Sequence, residues 1–371
     1  MDFVNTLLHV KAKVVQANGA DLAADAAVSL VNLFLHSLFS QVDISLNGTL
    51  ITSLTNTYPY RAMTETLLSY GHDTKTSQLT SVKDMSGNMD SLDFDNVANI
   101  NWGVEQRHSL TRESRVVDMM GRLLHADIFF HERYVVNEVN TRIKLVRSKD
   151  AFCLMGNAHF KVQIMHASLF VQKAKLMPSI FLANAKALEH GTAKCAIQRV
   201  VCKSLKNVKH EKLFSGQLPT RIVIGLVDNR AFNGNQARNP LNFKHFDLSE
   251  IAVYLDGQQQ HAIRPIQLNF ADGQYIRAYN MVFAGTGKLG ANEGLFIDRI
   301  DYATGYALYA FNLTANLGED DHFSLLKQGN VHLTLKFANS LTTTVTVIAY
   351  AEFQNVIEID RVRDVVFDLG V

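Results

Sequence analysis

The chain has 371 residues, 47% of them apolar, and its 36 basic and 35 acidic side chains leave a net charge of only +1. That length suits two domains of ordinary size, each able to bury its own core. Charges so evenly balanced give no overall field for nucleic acid or an anionic membrane surface, and no apolar run reaches the roughly 18 residues of a membrane-spanning helix.

From the start, Met1-Asp2-Phe3-Val4-Asn5 has no basic region leading into an apolar stretch, so the expectation is a protein that is not secreted. Leu8, Val10, Ala12 and Val14 alternate with polar residues, as do Val42, Ile44 and Leu46; this period of two predicts strands with one buried face. The second strand runs into Asn47-Gly48, a dipeptide suited to a tight hairpin whose central residues need positive φ. A helix is predicted over 59–70, with proline at its start and Gly71 beyond its end. Residues 72–116 are polar and rich in Ser, Thr, Asp and Asn, and read as an exposed excursion.

Strand patterns resume at Ile143/Leu145 and over 160–176, and a second helix is predicted over 178–190, closed by Gly191. Beyond it come 193–203, 221–227, Ile251/Val253/Leu255 closed by Asp256-Gly257, Val331/Leu333/Leu335/Phe337, and 345–359, dense in β-branched and aromatic residues.

The two halves resemble each other in the same order. A shift of 209 positions lays Phe34 on Phe243, His36 on His245, Val42 on Ile251, Leu46 on Leu255, and Asn47-Gly48 on Asp256-Gly257. Further on, 60–63 recurs at 276–279, 121–129 at 305–313, 142–146 at 331–335 and 161–176 at 344–359. The period is far too long for a solenoid or propeller. It marks a domain duplication. Two-sheet packing of such chains gives a mainly β protein of two tandem eight-stranded jelly-roll sandwiches with short helices. The expected boundaries are 1–177 for the first roll, 178–191 for a connecting helix and 192–371 for the second roll. The strand at 193–203 has no counterpart ahead of Leu8, so the first roll is expected to lack its opening strand. The stretches 72–116 and 271–292 are expected to project outward or bridge neighbours.

Chemistry is sparse. A two-domain cupin would need an HxH pair, and none occurs among the 14 histidines; HExxH is absent too. His125 and His131 would share a face of one strand and His159 and His166 would not, which reads as hydrogen-bonded structural histidine rather than a metal site. The run 283–290, FAGTGKLG, lacks the Ser or Thr of a phosphate-binding loop after its lysine. No GxSxG elbow is present. Cys153, Cys195 and Cys202 have no metal or redox spacing and read as reduced thiols in cores. Asn47-Gly48-Thr49 and Asn312-Leu313-Thr314 match a glycosylation sequon without a secretory route. Arg142, Lys144, Arg147 and Lys149, and Lys203, Lys206, Lys209 and Lys212, read as solvated faces giving at most weak, nonspecific contact with nucleic acid. The residues thus indicate a non-enzyme without cofactor or metal. The alternative reading is a non-catalytic carbohydrate- or protein-binding β-sandwich module.

Nearly the whole chain resembles the double jelly-roll major capsid proteins of Polinton/Maverick-type elements and adintoviruses. The resemblance is carried by Leu38-Phe39-Ser40-Gln41-Val42-Asp43 with Leu46-Asn47-Gly48, by Tyr58-Pro59-Tyr60-Arg61-Ala62 with Glu65-Thr66-Leu67-Leu68, and by Leu145-Val146-Arg147-Ser148-Lys149-Asp150. In the second half it rests on Gly216-Gln217-Leu218-Pro219, Gly225-Leu226-Val227-Asp228-Asn229, Asn242-Phe243-Lys244-His245, and Tyr350-Ala351-Glu352-Phe353 with Ile357-Glu358-Ile359-Asp360. It implies a hexon-like homotrimer of pseudo-hexameric outline that tiles an icosahedral shell, with the chain itself, penton and minor capsid proteins as partners. The implied location is the virion capsid, assembled inside the host cell.

Overall fold

The computed structural model describes residues 1–79, 83–93, 100–122, 127–130, 134–206, 209–256, 258–259, 264–313 and 327–367. In the first half the strands that form the roll are β1 (Asp2–Val15), β2 (Phe39–Leu46), β3 (Thr49–Leu50), β4 (Val117–Arg122), β5 (Thr141–Arg147) and β6 (Lys161–Gln172), beside a two-stranded pair of Val28–Leu30 with Leu154–Gly156. Those of the second half are β7 (Ala193–Lys206), β8 (His210–Gln217), β9 (Arg221–Asp228), β10 (Leu248–Leu255), β11 (Gln258–Gln259), β12 (Leu308–Asn312), β13 (Gln328–Phe337) and β14 (Val345–Ile359). Four helices matter for the argument: α1 (Tyr58–Ser69), α2 (Trp102–Ser109), α3 (Pro178–His190) and α4 (Ile276–Gly285).

The second half is a complete two-sheet sandwich. One sheet runs β12–β9–β14–β7 and the other β8–β13–β10–β11, every neighbour antiparallel. Apart from the β10–β11 hairpin, consecutive strands sit in opposite sheets, and Ile251, Val253, Leu333 and Leu335 face Ile222, Ile224, Val347 and Ala349 across one core.

The first half repeats that wiring with β4–β1–β6 and β3–β2–β5. Strand β3 pairs with β2 as β11 pairs with β10, Leu46 with Thr49 and Leu255 with Gln258. Helices α1 and α4 occupy the same connection, between β3 and β4 and between β11 and β12. The chain is a double jelly roll. Among the described residues, the first roll has no counterpart of β7 or β8, so β6 pairs only with β1 and β5 only with β2.

Two pieces of the repeat take a different alignment from the one the sequence suggests. Strand β5 enters its sheet with Leu46 opposite Thr141, and β13 with Leu255 opposite Val331, so Thr141 and not Arg142 matches Val331. A slip of one residue would turn Ile143 and Leu145 out of the core. The strand beside β1 is Val117–Arg122, ahead of the 121–129 stretch aligned with β12, and 127–130 forms a 3₁₀ turn.

The helix at 178–190 forms as expected and buries only Leu188. The long excursion does not. Lys75, Asp84, Met89, Ile100, Asn101, Val104, Arg107, His108 and Thr111 are all buried, and the segment carries α2, capped by the Asn101 side chain accepting from Gly103 and Val104 N–H. Those residues pack against the rest of the chain rather than projecting. Residues 271–292 divide: α4 buries Ala278 and Val282, while Leu289 at the tip is 65% exposed. Where α4 crosses β12, a side chain at Gly285 would collide with Ala310.

Past β14 the chain returns to the first roll. Val365–Val366 pair with Glu358–Ile359, the Arg363 carbonyl accepts from the Asn47 side-chain amide (2.7 Å) and the Val365 carbonyl from the Thr49 hydroxyl (3.2 Å). Arg363 Nε donates to the Asn137 carbonyl at 3.0 Å.

Candidate functional site: the seam between the rolls

The seam is built around α1, which belongs to the first roll and lies against β7 and β14 of the second. Residues of both faces of α1 are buried from Tyr58 to Leu68. Tyr60 stacks on Phe232 and meets Phe152 and Phe243 edge-on, joining rings from both rolls. At the helix entry, the Thr57 hydroxyl donates to the Cys202 carbonyl on β7 at 2.6 Å.

Beneath the aromatic cluster runs a buried ionic network. Arg61 Nε donates to Glu65 Oε1 (2.8 Å), and Arg61 Nη2 lies 2.8 Å from Asp127 Oδ1. Asp127 also accepts from Val200 N–H of β7 (3.0 Å). On the β14 side, the Tyr350 hydroxyl bridges Glu65 (3.3 Å) and Glu352 (2.9 Å), and Glu352 in turn holds Arg221 (3.3 Å). Burial would strip the Arg61 charge, but Asp127 and Glu65 outweigh it and hold the guanidinium protonated. For Asp127 and Glu352, burial outweighs their arginine partners, so both carboxyls protonate more readily than in water. The chemistry on offer is fixation: removing Arg61 leaves the buried Glu65 and Asp127 carboxyls without their cation.

The 72–116 segment seals the same seam. Asp84 is fully buried, paired with Arg107 and accepting from the Asn239 side-chain amide of the second roll at 3.2 Å. Its backbone carbonyl takes the Tyr306 hydroxyl (2.9 Å). Arg107 Nε reaches back to the Leu30 carbonyl of the first roll at 2.8 Å. Asp90 accepts from Lys244 (2.7 Å) and from Asn239 N–H (2.8 Å). Lys75, 4% exposed, donates to the carbonyls of Leu67 (2.9 Å) and Leu295 (2.6 Å). Burial, with the nearby Lys83 charge, pushes its pKa down to about 7.

The hairpin residues singled out in the sequence lie away from this seam and do a structural job. Asn47 and Asp256 both adopt left-handed φ, 46° and 50°. Each donates its N–H to a carbonyl and accepts through its side chain from the N–H of that same residue. For Asn47 the partner is Asn140, at 2.8 and 2.7 Å; for Asp256 it is Asn330, again at 2.8 and 2.7 Å. Gly48 follows at φ 88°; Gly257 lies outside the described residues. The Asn47 amide nitrogen donates to the Arg363 carbonyl as well.

Among the described residues no group of three or more His, Cys, Asp or Glu side chains could hold a metal; His125 and His131 lie outside those residues. The 283–290 run closes α4, with Lys288 N–H bonded to the Phe283 carbonyl, so it opens no helix that could bind phosphate. Cys153, Cys195 and Cys202 are buried and form no disulfide among the described residues, and burial pushes the Cys153 and Cys202 thiols up to about 12. The basic runs lie exposed on the outer face of β5 and around the β7–β8 turn.

No family model matches the chain. An uncharacterized protein of Caenorhabditis elegans is 23% identical over 360 residues, which cover 91% of this chain and 81% of that one. Among solved structures, a chain of the Sputnik virophage matches 99% of this chain and 82% of its own, with a TM-score of 0.60 at 11% identity. The mavirus major capsid protein matches over 99% and 84%, with a TM-score of 0.45 at 10% identity. The class that the two sandwiches define is the double jelly roll, and the Sputnik likeness is one of fold.

Proposed function

We propose that this chain is a structural protein of a virus capsid and performs no catalysis. The observation that supports this reading most is the Sputnik likeness, which runs through both rolls and the seam across 99% of the chain. The seam supports it as well, because two rolls fixed side by side make one rigid tile with two similar lobes. Three copies then give a ring of six near-equivalent lobes, a pseudo-hexameric homotrimer able to pave an icosahedral shell. Contacts between tiles draw on apolar burial at roughly 25 cal/mol per Å². The particular assignment is to the capsid proteins of Polinton/Maverick-type elements and adintoviruses, on the residues that resemble them. Penton and minor capsid proteins are the further partners, the virion the place of work, and packaged nucleic acid touches only the exposed basic runs. Light scattering with electron microscopy of the purified protein tests the reading. Trimers of hexagonal outline, or shells, are expected; a strict monomer at high concentration overturns it.

A further inference from the structure

Three of the large apolar residues that reach solvent, Leu110 and Met120 (each 51% exposed) and Val116 (52%), line one cleft in the first roll. Apolar residues exposed singly are ordinary, but several on one concave wall mark a binding surface. The cleft encloses about 600 Å³, the size of a small-ligand site, and Leu33, Leu79 and Met119 extend its apolar wall. The divergence of the two rolls accounts for the space. In the second roll α4 packs on β12, with Gly285 against Ala310; its counterpart α1 is drawn onto β7 and β14, and the cleft opens between β4 and the end of α1 at Tyr70. Of the charged and the buried polar groups on its wall, all but one are held within the chain. The Asn32 side chain accepts from Leu33 N–H (2.9 Å), His36 Nδ1 lies 3.0 Å from the Tyr58 hydroxyl, and Arg107 is held by Asp84 and the Leu30 carbonyl. Asp118 is paired with His9 (2.6 Å) and Lys11 (3.2 Å). The exception is Arg122, which is exposed and makes no ion pair among the described residues.

We propose that the cleft binds a fatty-acid-type ligand, one long aliphatic chain lying along β4 with its carboxylate between Arg122 and Tyr70. Strand β4 sets the length: Val117 and Arg122 stand at its opposite ends, roughly 17 Å apart at about 3.4 Å per residue. The wall between them is leucine, valine and methionine, and Met119 and Met120 supply flexible, polarisable surface that adapts to a chain of no fixed shape. The charge sets the head. With Asp118 and Arg107 already paired, Arg122 leaves one positive charge at one end of an apolar wall, which suits a single anion. Arg122 lies near enough to Tyr70 for its charge to oppose the burial and the Glu65 charge that raise the phenol's pKa, so guanidinium and hydroxyl can donate to one carboxylate. Every lining residue belongs to the first roll, and the site stands whether or not the chain builds a shell.

Equilibrium binding of hexadecanoate to the delipidated 371-residue chain, kept below micelle formation, tests the proposal. One molecule per chain is expected to bind, and hexadecyltrimethylammonium, the same aliphatic chain with a cationic head, is expected to bind roughly tenfold or more weakly. Arg122→Gln is expected to weaken hexadecanoate by a similar factor and to leave the binding of hexadecanol unchanged. Leu110→Glu combined with Met120→Glu is expected to abolish binding of both, while the melting temperature of the unliganded protein stays unchanged because both side chains already meet water. No binding by the parent chain, or equal binding by that double variant, overturns the cleft. Carboxylate and ammonium bound equally well overturns the anionic head. Native mass spectrometry of the protein before delipidation supplies a further arm: a copurified peptide seated in place of a lipid, and displaced by neither probe, overturns the aliphatic occupant.

Discussion

Arg61 shows how little a residue's motif says about its role. The sequence repeats Tyr60-Arg61-Ala62-Met63 as Ile276-Arg277-Ala278-Tyr279, yet Arg277 donates to the exposed carbonyls of Arg264 and Pro265 while Arg61 is locked between Glu65 and Asp127. The difference comes from what each helix lies against, and no local pattern carries that. Arg61→Met is expected to lower unfolding stability by about 3–5 kcal/mol, because two carboxylates stay buried without their cation; urea denaturation measures it. Arg61→Met with Glu65→Met is expected to recover part of the loss. Lys75 makes a prediction in pH. Its folded pKa of about 7 lies below the roughly 10.4 of an unfolded lysine, so over that interval the unfolded chain binds more protons and stability rises with pH, by up to about 1.4 kcal/mol per unit. Between pH 7 and about 7.8, below the roughly 8.5 of an unfolded thiol, the melting temperature is expected to climb, and Lys75→Met is expected to flatten the slope.

At the scale of elements, the strands were legible and the course of the excursion was not. Asn47 and Asp256 are favoured where φ is positive, and both sit there, Asn47 holding Asn140 just ahead of β5 and Asp256 holding Asn330 within β13. Asn47→Ala or Asp256→Ala is expected to cost about 1–2 kcal/mol apiece, from the lost hydrogen bond and the strained backbone, read as a lowered urea midpoint. Asn47→Asp keeps the acceptor and is expected to cost less. Residues 72–116 misled because polarity was taken for exposure. Asp84, Arg107 and Asn101 are polar yet buried, paired with groups on the other side of the seam that sequence order keeps far away. Asp84→Ala is therefore expected to behave as a core mutation, stranding Arg107, with a cost of several kcal/mol. Strand alternation gave the sheets, since it reports only which face is wet, but it left the β5 alignment open by one residue.

For the whole molecule, duplication was readable because each half carries the same ordered strands and turns; the rigid seam was not, because it is made of contacts between halves. That distinction bears on the last residues of the fold, where Arg363 and Val365 accept from Asn47 and Thr49, more than 300 positions earlier in the chain. Removing residues 361–371 is expected to speed deuterium exchange at the Asn47 turn while leaving the second core protected, as mass spectrometry of the two regions would show. A ribosome delivers the Asn47 hairpin long before the segment that fastens it. The first roll therefore waits, partly unlatched, through the synthesis of its sibling, until the segment that follows β14 reaches the Asn47 turn.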